Sequence, residues 1–390
     1  MNDFGYLSEN DIYLDSACQS LRPQPVIDAL NNYYTKHNSC GERVKYQWGR
    51  ETDEKVEATR AKLLKYLKLS SRKYFVSFTL NTTYGLNLLL SQIDTARAGV
   101  KTIITSDIEH NSPFLSAISC AKKNNLPRKI ITRKPDGSLP VEKIPEHALV
   151  VVNCASNIDG RLLVNIKDVI KTTHKKHGFV IIDAAQAMAH SSEILHKTEA
   201  DAICFSAHKM YAPSLGGIII RREFAKLIDV NFIGGGMVDD VDKETYLLSR
   251  DNPEHAYTQF ESGLQAWGEI IALGAAIDWL NSRTKSDKEN LERLEEKLFQ
   301  FLKSNKHLHL INGAPASTMS FYVDKKEVGF DSHTLGAALA DQGIMARTGY
   351  FCVHYYLDHV KHYPPLIRFS LGYHTRESDI DKVIESLKNI

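Results

Sequence analysis

The fold is decided by the run Phe179-Val180-Ile181-Ile182-Asp183 and by the later run Cys204-Phe205-Ser206-Ala207-His208-Lys209. Each begins with apolar, β-prone residues and ends in polar ones, which is typical of buried strands in a parallel sheet. The carboxyl ends of parallel strands meet at one edge, where open α/β sheets bind ligands. We therefore expect four polar side chains to lie together there: Asp183, Ser206, His208 and Lys209.

A lysine and a carboxylate at neighbouring strand ends suggest pyridoxal phosphate chemistry. Lysine carries this cofactor as an imine, and a carboxylate keeps the pyridine nitrogen protonated so that the ring takes up electrons. Taken singly, Lys209 is typical of a solvated surface residue, and Asp183 is typical of a helix N-cap. The combination of the two predicts a cofactor site.

The spacing Asp183-x-x-Gln186, followed by Ser206-x-His208-Lys209, resembles the class V aminotransferase family, which includes the cysteine desulfurases. The resemblance extends over nearly the whole chain. It implies an α/β fold of the fold-type-I pyridoxal phosphate enzymes, with a large, doubly wound, mainly parallel sheet domain and a small α+β C-terminal domain. The implied divisions are an N-terminal segment 1–20 at the active-site mouth, a cofactor domain 21–260 and a small domain 261–390.

Length and composition agree with a globular protein of two domains. The chain has 390 residues, of which 43% are hydrophobic and 24% charged, as in ordinary soluble proteins. Its net charge of +1 offers no general attraction for nucleic acid or an anionic membrane. No leader-like N-terminus or membrane-length apolar run is visible. We therefore expect a cytoplasmic protein without nucleic-acid or membrane partners.

The six cysteines have no paired spacing. This excludes a C-x-x-C metal site and argues against a disulfide framework. Histidines and aromatic residues are concentrated in the segment 353–365, which could be an active-site lid or a metal site. Their irregular spacing favours the lid, so we expect no metal.

A hydroxyl-rich junction follows the predicted strand Phe75-Val76-Ser77-Phe78. Hydroxyls and free N–H groups at a helix N-terminus bind anions, although threonine also caps many helices. Asn81-Thr82-Thr83 resembles the family's phosphate loop Gly-Thr-Thr, with Asn81 in place of the usual glycine. The resemblance therefore assigns Thr82 and Thr83 to the cofactor phosphate. It assigns Ser206 and His208 to the same phosphate.

Further residues are assigned to the cofactor ring by resemblance. Glu109-His110-Asn111-Ser112 is similar to the family segment whose histidine stacks on the ring and relays protons. A histidine after a strand is otherwise often structural, which remains the alternative for His110. Asn157 and Gln186 correspond to the family residues that hydrogen-bond the phenolic oxygen of the cofactor.

The reaction is indicated by Arg347-Thr348-Gly349-Tyr350-Phe351-Cys352. It matches the family's Arg-Thr-Gly-x-x-Cys, whose cysteine is the desulfurase nucleophile. A nearby cation such as Arg347 favours a reactive thiolate, whereas a buried, inert thiol is the alternative. Arg368 matches the family arginine that binds the substrate carboxylate, which a guanidinium grips with two parallel bonds. Arg347 would assist at that carboxylate.

Two segments bear on the mouth of the site and on assembly. The family's counterpart of Tyr13-Leu14-Asp15-Ser16-Ala17 lies across the mouth, so Ala17 and Cys18 are expected to face the substrate. A plain structural strand is the alternative. The resemblance also implies a homodimer in which a threonine reaches the phosphate of the other subunit. Leu264 stands at that threonine's position and has no hydroxyl.

The resulting prediction is a cysteine desulfurase that converts L-cysteine to L-alanine. Lys209, His110 and Cys352 would be catalytic, and the sulfur would pass to Cys352 as a persulfide and then to a sulfur-acceptor protein. Two alternatives keep the cofactor, a class V aminotransferase and a β-eliminating C–S lyase, and in both Cys352 would be dispensable. A third is a non-catalytic scaffold without a bound chromophore.

Overall fold

The structure, a computed structural model, describes residues 3–41, 44–388 and 390. Strands and helices alternate along most of the chain. The strands are β1 Ile12–Tyr13, β2 Tyr74–Thr79, β3 Thr102–Ser106, β4 Arg128–Ile131, β5 Ala148–Asn153, β6 Phe179–Asp183, β7 Ala202–Ser206, β8 Gly216–Arg221, β9 Val238–Val241, β10 Tyr246–Leu248, β11 His309–Leu310, β12 Thr318–Tyr322, β13 Ile344–Met345, β14 Arg347–Gly349 and β15 Leu366–Ser370.

The helices frame these strands. They are α1 Gln24–Lys36, α2 Gln47–Tyr66, α3 Thr82–Gln92, α4 Asn111–Lys123, α5 Ile166–Lys175, α6 Ala187–His190, α7 Arg222–Ala225, α8 Trp267–Asn281, α9 Lys285–Ser304, α10 Lys325–Val328, α11 Ser332–Ala340 and α12 Glu377–Leu387. Within the described ranges, no helix combines the length and apolarity needed to cross a bilayer.

A seven-stranded sheet forms the larger part of the molecule, in the order β2-β8-β7-β6-β5-β3-β4. Strand β8 pairs antiparallel with both of its neighbours, and the other pairings are parallel. The middle strands are continuously apolar because both faces of the sheet are covered; every residue of β5 and β7 is buried. The predicted α/β fold with a mainly parallel sheet is confirmed.

The register of the central strands brings the polar strand ends together. Asn153 at the end of β5 pairs with Asp183 at the end of β6, and Asp183 pairs in turn with Cys204 in β7. Ser206 and the short turn that carries Lys209 follow directly. The edge that the sequence predicts as a ligand site is therefore formed by adjacent strands.

A second, four-stranded sheet is built from the C-terminal part, in the order β11-β12-β15-β14. The N-terminal strand β1 pairs with β13, and Ile12 and Leu14 are buried in the same apolar cluster as this sheet. The division predicted at residues 260 and 261 stays a prediction. Helix α8 lies beyond that division but packs against α1 and α2 in the core of the large sheet.

Candidate active site

One cavity of about 270 Å³ lies at the carboxyl ends of β5, β6 and β7. Its wall also includes the start of α3 and the turn after β14. All twelve residues that the sequence assigns to the cofactor or the substrate line it: Thr82, Thr83, His110, Asn157, Asp183, Gln186, Ser206, His208, Lys209, Arg347, Cys352 and Arg368. The structure thus brings together residues from both sheets, while their individual roles stay predictions.

Hydroxyl and N–H groups are clustered at the start of α3. Thr82 donates its backbone N–H to Ser206 Oγ at 3.0 Å, and the two hydroxyls lie 2.7 Å apart. Asn81 caps the helix by accepting the N–H of Tyr84 at 2.9 Å. Its φ of −174° is extended, so this position does not require the glycine usual in the family. Hydroxyls and amides at a helix start suit a phosphate.

Burial shifts the pKa values of Asp183 and Lys209 away from their ordinary values. Burial raises the pKa of Asp183, while the N–H of Ala185, at 2.9 Å from Oδ1, and the amine of Lys209 act against it. Burial lowers the pKa of Lys209, and Asp183 opposes that shift. A lysine with a lowered pKa carries more free amine, which is the form that condenses with an aldehyde.

His110 is held as a neutral imidazole. Its Nδ1 accepts the backbone N–H of Ser112 at 3.0 Å, which leaves the proton on Nε2. Burial, together with the positive charges of Lys209, Arg368 and Arg347, lowers the pKa of His110 to about 3. A neutral ring is the form that lies favourably over a flat cofactor beside these cations.

The two amide side chains assigned to the phenolic oxygen bind backbone carbonyls here. Asn157 donates from Nδ2 to the carbonyl of Phe351 at 2.8 Å. Gln186 donates from Nε2 to the carbonyl of Ala17 at 2.7 Å. Both amides therefore tie a flanking segment, the turn before Cys352 and the N-terminal segment, to the sheet edge. Their role toward the cofactor stays a prediction.

Arg368 is the most enclosed cation of the cavity, with 2% of its surface exposed. It donates to Asp15 Oδ1 at 2.8 Å and to the carbonyl of Asn157 at 3.1 Å. Its Nε has no hydrogen-bond partner among the described residues. A buried guanidinium with an unused donor suits a carboxylate. Sequence reasoning missed Asp15, although it lies within the quoted segment that crosses the mouth.

Cys352 lies on a turn with unusual backbone geometry. Phe351 and Cys352 both have positive φ, 47° and 60°, which is rare for side chains of this kind. Hydrogen bonds hold both carbonyls: Asn157 binds that of Phe351 at 2.8 Å, and the N–H of Asn111 binds that of Cys352 at 2.6 Å. Strained turns held by their surroundings occur at functional sites.

Arg347, which the resemblance assigns to the substrate carboxylate, contacts a cysteine in this structure. Its Nη1 lies 2.7 Å from Sγ of Cys18. Cys18 follows the segment predicted to cross the mouth, and it lines the cavity with Ala17. That these two residues face the substrate stays a prediction. The contact could not be read from the sequence, because it joins the N-terminal segment to β14.

The residues present fit pyridoxal phosphate. Asp183 offers a buried carboxylate to a pyridinium N–H, and Lys209 offers an amine in the same cavity. The backbone around the phosphate loop is also closely fitted: a Cβ on Gly216 would lie 2.4 Å from Cα of Asn81. The loop that would hold the phosphate is thus locked against β8.

A sequence model of the family described as Aminotransferase class-V matches residues 12–383 of the chain. Among curated proteins, the cysteine desulfurase of Pectobacterium atrosepticum is 27% identical over 394 aligned residues, which cover 97% of this chain and 92% of that protein. A probable cysteine desulfurase of Pyrococcus abyssi is also 27% identical, and the alignment covers 89% of this chain and 86% of that protein.

Solved structures of low sequence identity share the fold. The apo cysteine desulfurase of Thermococcus onnurineus superposes with a TM-score of 0.85 at 24% identity, over 97% of this chain and 94% of that one. The cysteine desulfurase CsdA of Escherichia coli gives 0.86 at 20% identity, over 99% and 96%. The cystine C–S lyase C-DES, solved with cysteine persulfide, gives 0.80 at 17% identity, over 98% of each chain.

Proposed function

This chain belongs to the class V aminotransferase family, and we propose on that basis that it is a pyridoxal-phosphate-dependent cysteine desulfurase. It converts L-cysteine to L-alanine and places the substrate sulfur on Cys352. One observation supports this choice within the family most directly. Cys352, on a strained and anchored turn, lines the same cavity as Lys209 and the buried Arg368.

The cofactor would be held by residues of the large sheet. Lys209 would bind it through its amine, Thr82, Thr83, Ser206 and His208 would surround its phosphate, and His110 would lie on its ring. When bound, pyridoxal phosphate withdraws electrons from the substrate Cα, which weakens the bonds around that carbon. Its positively charged ring nitrogen would keep Asp183 ionised, because a nearby cation opposes the effect of burial on the pKa of Asp183.

The substrate would be oriented by charge. Arg368 has an Nε donor that no described residue uses, and it would bind the carboxylate of L-cysteine, with Asp15 holding the guanidinium in place. Lys209, once released from the cofactor by the substrate amine, would move protons at Cα with its neutral amine. Because Arg368 and Cys352 line the same cavity, a substrate held in this way would have its side chain within the cavity that Cys352 borders.

Transfer of the substrate sulfur to Cys352 needs no external oxidant. The Cys352 thiolate forms an S–S bond with the substrate sulfur as the substrate's Cβ–S bond breaks. The carbon takes a proton and leaves as the methyl group of L-alanine. The protein keeps the sulfur as a Cys352 persulfide, which a sulfur-acceptor protein would then take.

We also propose a homodimer. Large apolar side chains stand exposed beside the 262–264 loop; Leu264 is 76% exposed and Phe232 57%. The backbone bond from Gly263 to Gly235, at 2.7 Å, links this loop to the segment that carries Phe232. Exposed apolar patches mark interaction surfaces. The acceptor protein is a proposal that follows from the family resemblance, and the cytoplasmic location is a proposal that rests on the sequence pattern.

The reaction is tested with purified protein, L-cysteine and a reductant, by following alanine and sulfide for the wild type and for Cys352→Ser. We expect equal amounts of alanine and sulfide from the wild type, and neither from the variant, although its visible cofactor absorbance persists. Pyruvate and ammonia would instead identify a C–S lyase. Lack of turnover of cysteine with the cofactor intact would favour an aminotransferase.

A further inference from the structure

Cys18 is a second thiol in the active-site cavity, and it has a cation of its own. Arg347 Nη1 lies 2.7 Å from its sulfur. A guanidinium directed at a sulfur atom provides the counter-charge that an anionic sulfur needs. Cys18 and Cys352 are both partly exposed and line the same cavity, whereas Cys120, Cys154 and Cys204 are buried elsewhere.

The backbone at Cys18 is held by hydrogen bonds of the preceding residue and of its own N–H. The N–H of Ala17 donates to Ser370 Oγ at 2.8 Å, and the carbonyl of Ala17 accepts from Gln186 at 2.7 Å. The N–H of Cys18 itself donates to the carbonyl of Asp15 at 3.0 Å. The thiol is therefore fixed over the cavity by the small sheet and by the edge of the large sheet.

Both thiols share the cavity with Lys209. Cys18, Cys352 and Lys209 all line its wall. The two sulfurs thus border the same reaction space as the amine.

Arg368 and Arg347 are suited to different anionic groups. Arg368 is 2% exposed, contacts Asp15 and has an Nε without a partner in the part of the chain that the structure describes, so it is suited to a carboxylate. Arg347 is more exposed and already contacts sulfur. The substrate carboxylate and the transferred sulfur would therefore be bound by different guanidinium groups.

We propose that Cys18 is a second sulfur carrier, which takes the sulfur from the Cys352 persulfide; the proposal rests on the desulfurase function given above. The Cys18 thiolate attacks the outer sulfur of that persulfide and forms a new S–S bond. The S–S bond at Cys352 breaks, and Cys352 leaves as a thiolate beside a persulfide on Cys18. No oxidant or reductant is consumed, and Cys352 is free to take a second sulfur.

The test is a burst experiment on the holoenzyme. The protein is mixed with a few equivalents of L-cysteine without reductant, quenched and alkylated; alanine is counted, and persulfides are located on peptides by mass spectrometry. We expect two alanines per subunit from the wild type, with persulfide on both cysteines. Cys18→Ser should halve the burst and carry persulfide on Cys352 alone. Cys40→Ser changes an exposed cysteine outside the cavity and is the matched control. It should still form two alanines per subunit.

The outcomes separate this proposal from the proposed function. Equal bursts from wild type and Cys18→Ser, with persulfide on Cys352 alone, would overturn the second carrier and leave the desulfurase standing. Persulfide on Cys18 in the Cys352→Ser variant would overturn the order of transfer. A wild type that forms neither alanine nor persulfide would remove the proposed function and this inference together.

Proximity is tested separately, without substrate. In the Cys40→Ser protein, dithionitrobenzoate should first form a mixed disulfide on one cavity cysteine. The other thiolate should then displace the second thionitrobenzoate and leave a disulfide between Cys18 and Cys352. We expect the release of two thionitrobenzoate anions per subunit, and mass spectra should contain the disulfide-linked peptides of Cys18 and Cys352. A stable mixed disulfide without the linked peptide would show that the two sulfurs do not meet, and would overturn the transfer.

Discussion

Oδ1 of Asp15 lies 2.8 Å from Nη2 of Arg368, although 353 positions separate the two residues in the chain. The ion pair joins the segment after β1 to β15 in the small sheet. Arg368 is 2% exposed, so its charge is held in place by a partner as well as by packing. This matters for function because a fixed guanidinium binds a carboxylate with less loss of freedom.

The first prediction concerns the substrate carboxylate. Arg368→Lys removes the planar fork, and we expect the KM for L-cysteine to rise roughly 10- to 100-fold, because hydrogen bonds to charged groups contribute about 1.5–3 kcal/mol. Asp15→Asn keeps an acceptor for Nη2 but loses the charge, and its effect should be smaller. Steady-state kinetics with saturating cofactor measure both. An unchanged KM in Arg368→Lys would assign the carboxylate to another cation.

The second prediction concerns acid stability. Burial lowers the pKa of His190 to about 4 from an ordinary 6.5, and the pKa values of His110 and His208 are also lowered, to about 3 and about 4. Below pH 6.5 the unfolded chain therefore binds protons that the folded protein does not. The free energy of unfolding should fall as the pH drops from 6.5 toward 4, by up to about 1.4 kcal/mol per pH unit for each histidine.

His190→Gln isolates one of these histidines. His190 Nδ1 has no partner among the described residues, and Nε2 meets the hydroxyl of Tyr211 at 3.2 Å, which a glutamine amide can also bind. Denaturant unfolding at several pH values gives the slope of the free energy of unfolding against pH. Between pH 6.5 and 4 this slope should correspond to about one proton fewer in the variant than in the wild type. A slope equal to that of the wild type would mean that His190 is already charged in the folded protein.

The third prediction concerns the phosphate loop. In Gly216→Ala the new methyl group would lie 2.4 Å from Cα of Asn81. Backbone must move to relieve this, so we expect a loss of about 1–3 kcal/mol in stability and weaker cofactor binding. Gly313→Ala is the control, since a Cβ there meets no atom of the described residues within 4 Å. Thermal unfolding and cofactor titration measure the two effects, and equal behaviour of the two variants would contradict the close fit.

The fourth prediction tests the homodimer through Leu264. If the 262–264 loop of one subunit approaches the phosphate in the other, Leu264→Thr should tighten cofactor binding by up to about tenfold, since a neutral hydrogen bond contributes about 0.5–1.5 kcal/mol. Leu264→Val has the same branching without the hydroxyl and should not tighten it. Titration of the apoprotein with the cofactor measures both, and a gain shared by valine would exclude the hydroxyl as the cause.

Much of the fold could be predicted because its elements are local patterns. Continuous apolar runs identify β6 and β7, the strands that the two runs at Phe179 and Cys204 predict. The weakly apolar hairpin of β9 and β10 gave no such signal, because most of its side chains are exposed. The segment 353–365 contains a wide helical turn at Tyr355–Val360 that no periodicity indicated.

The sequence by itself predicted the part of the cavity on the large sheet, because polar residues at the ends of parallel strands and at a helix start meet at one edge of the sheet. The resemblance to the family, and not strand geometry, added Arg347, Cys352 and Arg368. Only the tertiary structure decided how these side chains are paired. Arg347 contacts Cys18, Arg368 contacts Asp15, and Asn157 and Gln186 bind backbone carbonyls. The physical reason is that each of these bonds depends on how the N-terminal segment and the small sheet pack against the large sheet. Contacts between residues so far apart in the chain produce no periodic pattern in the sequence.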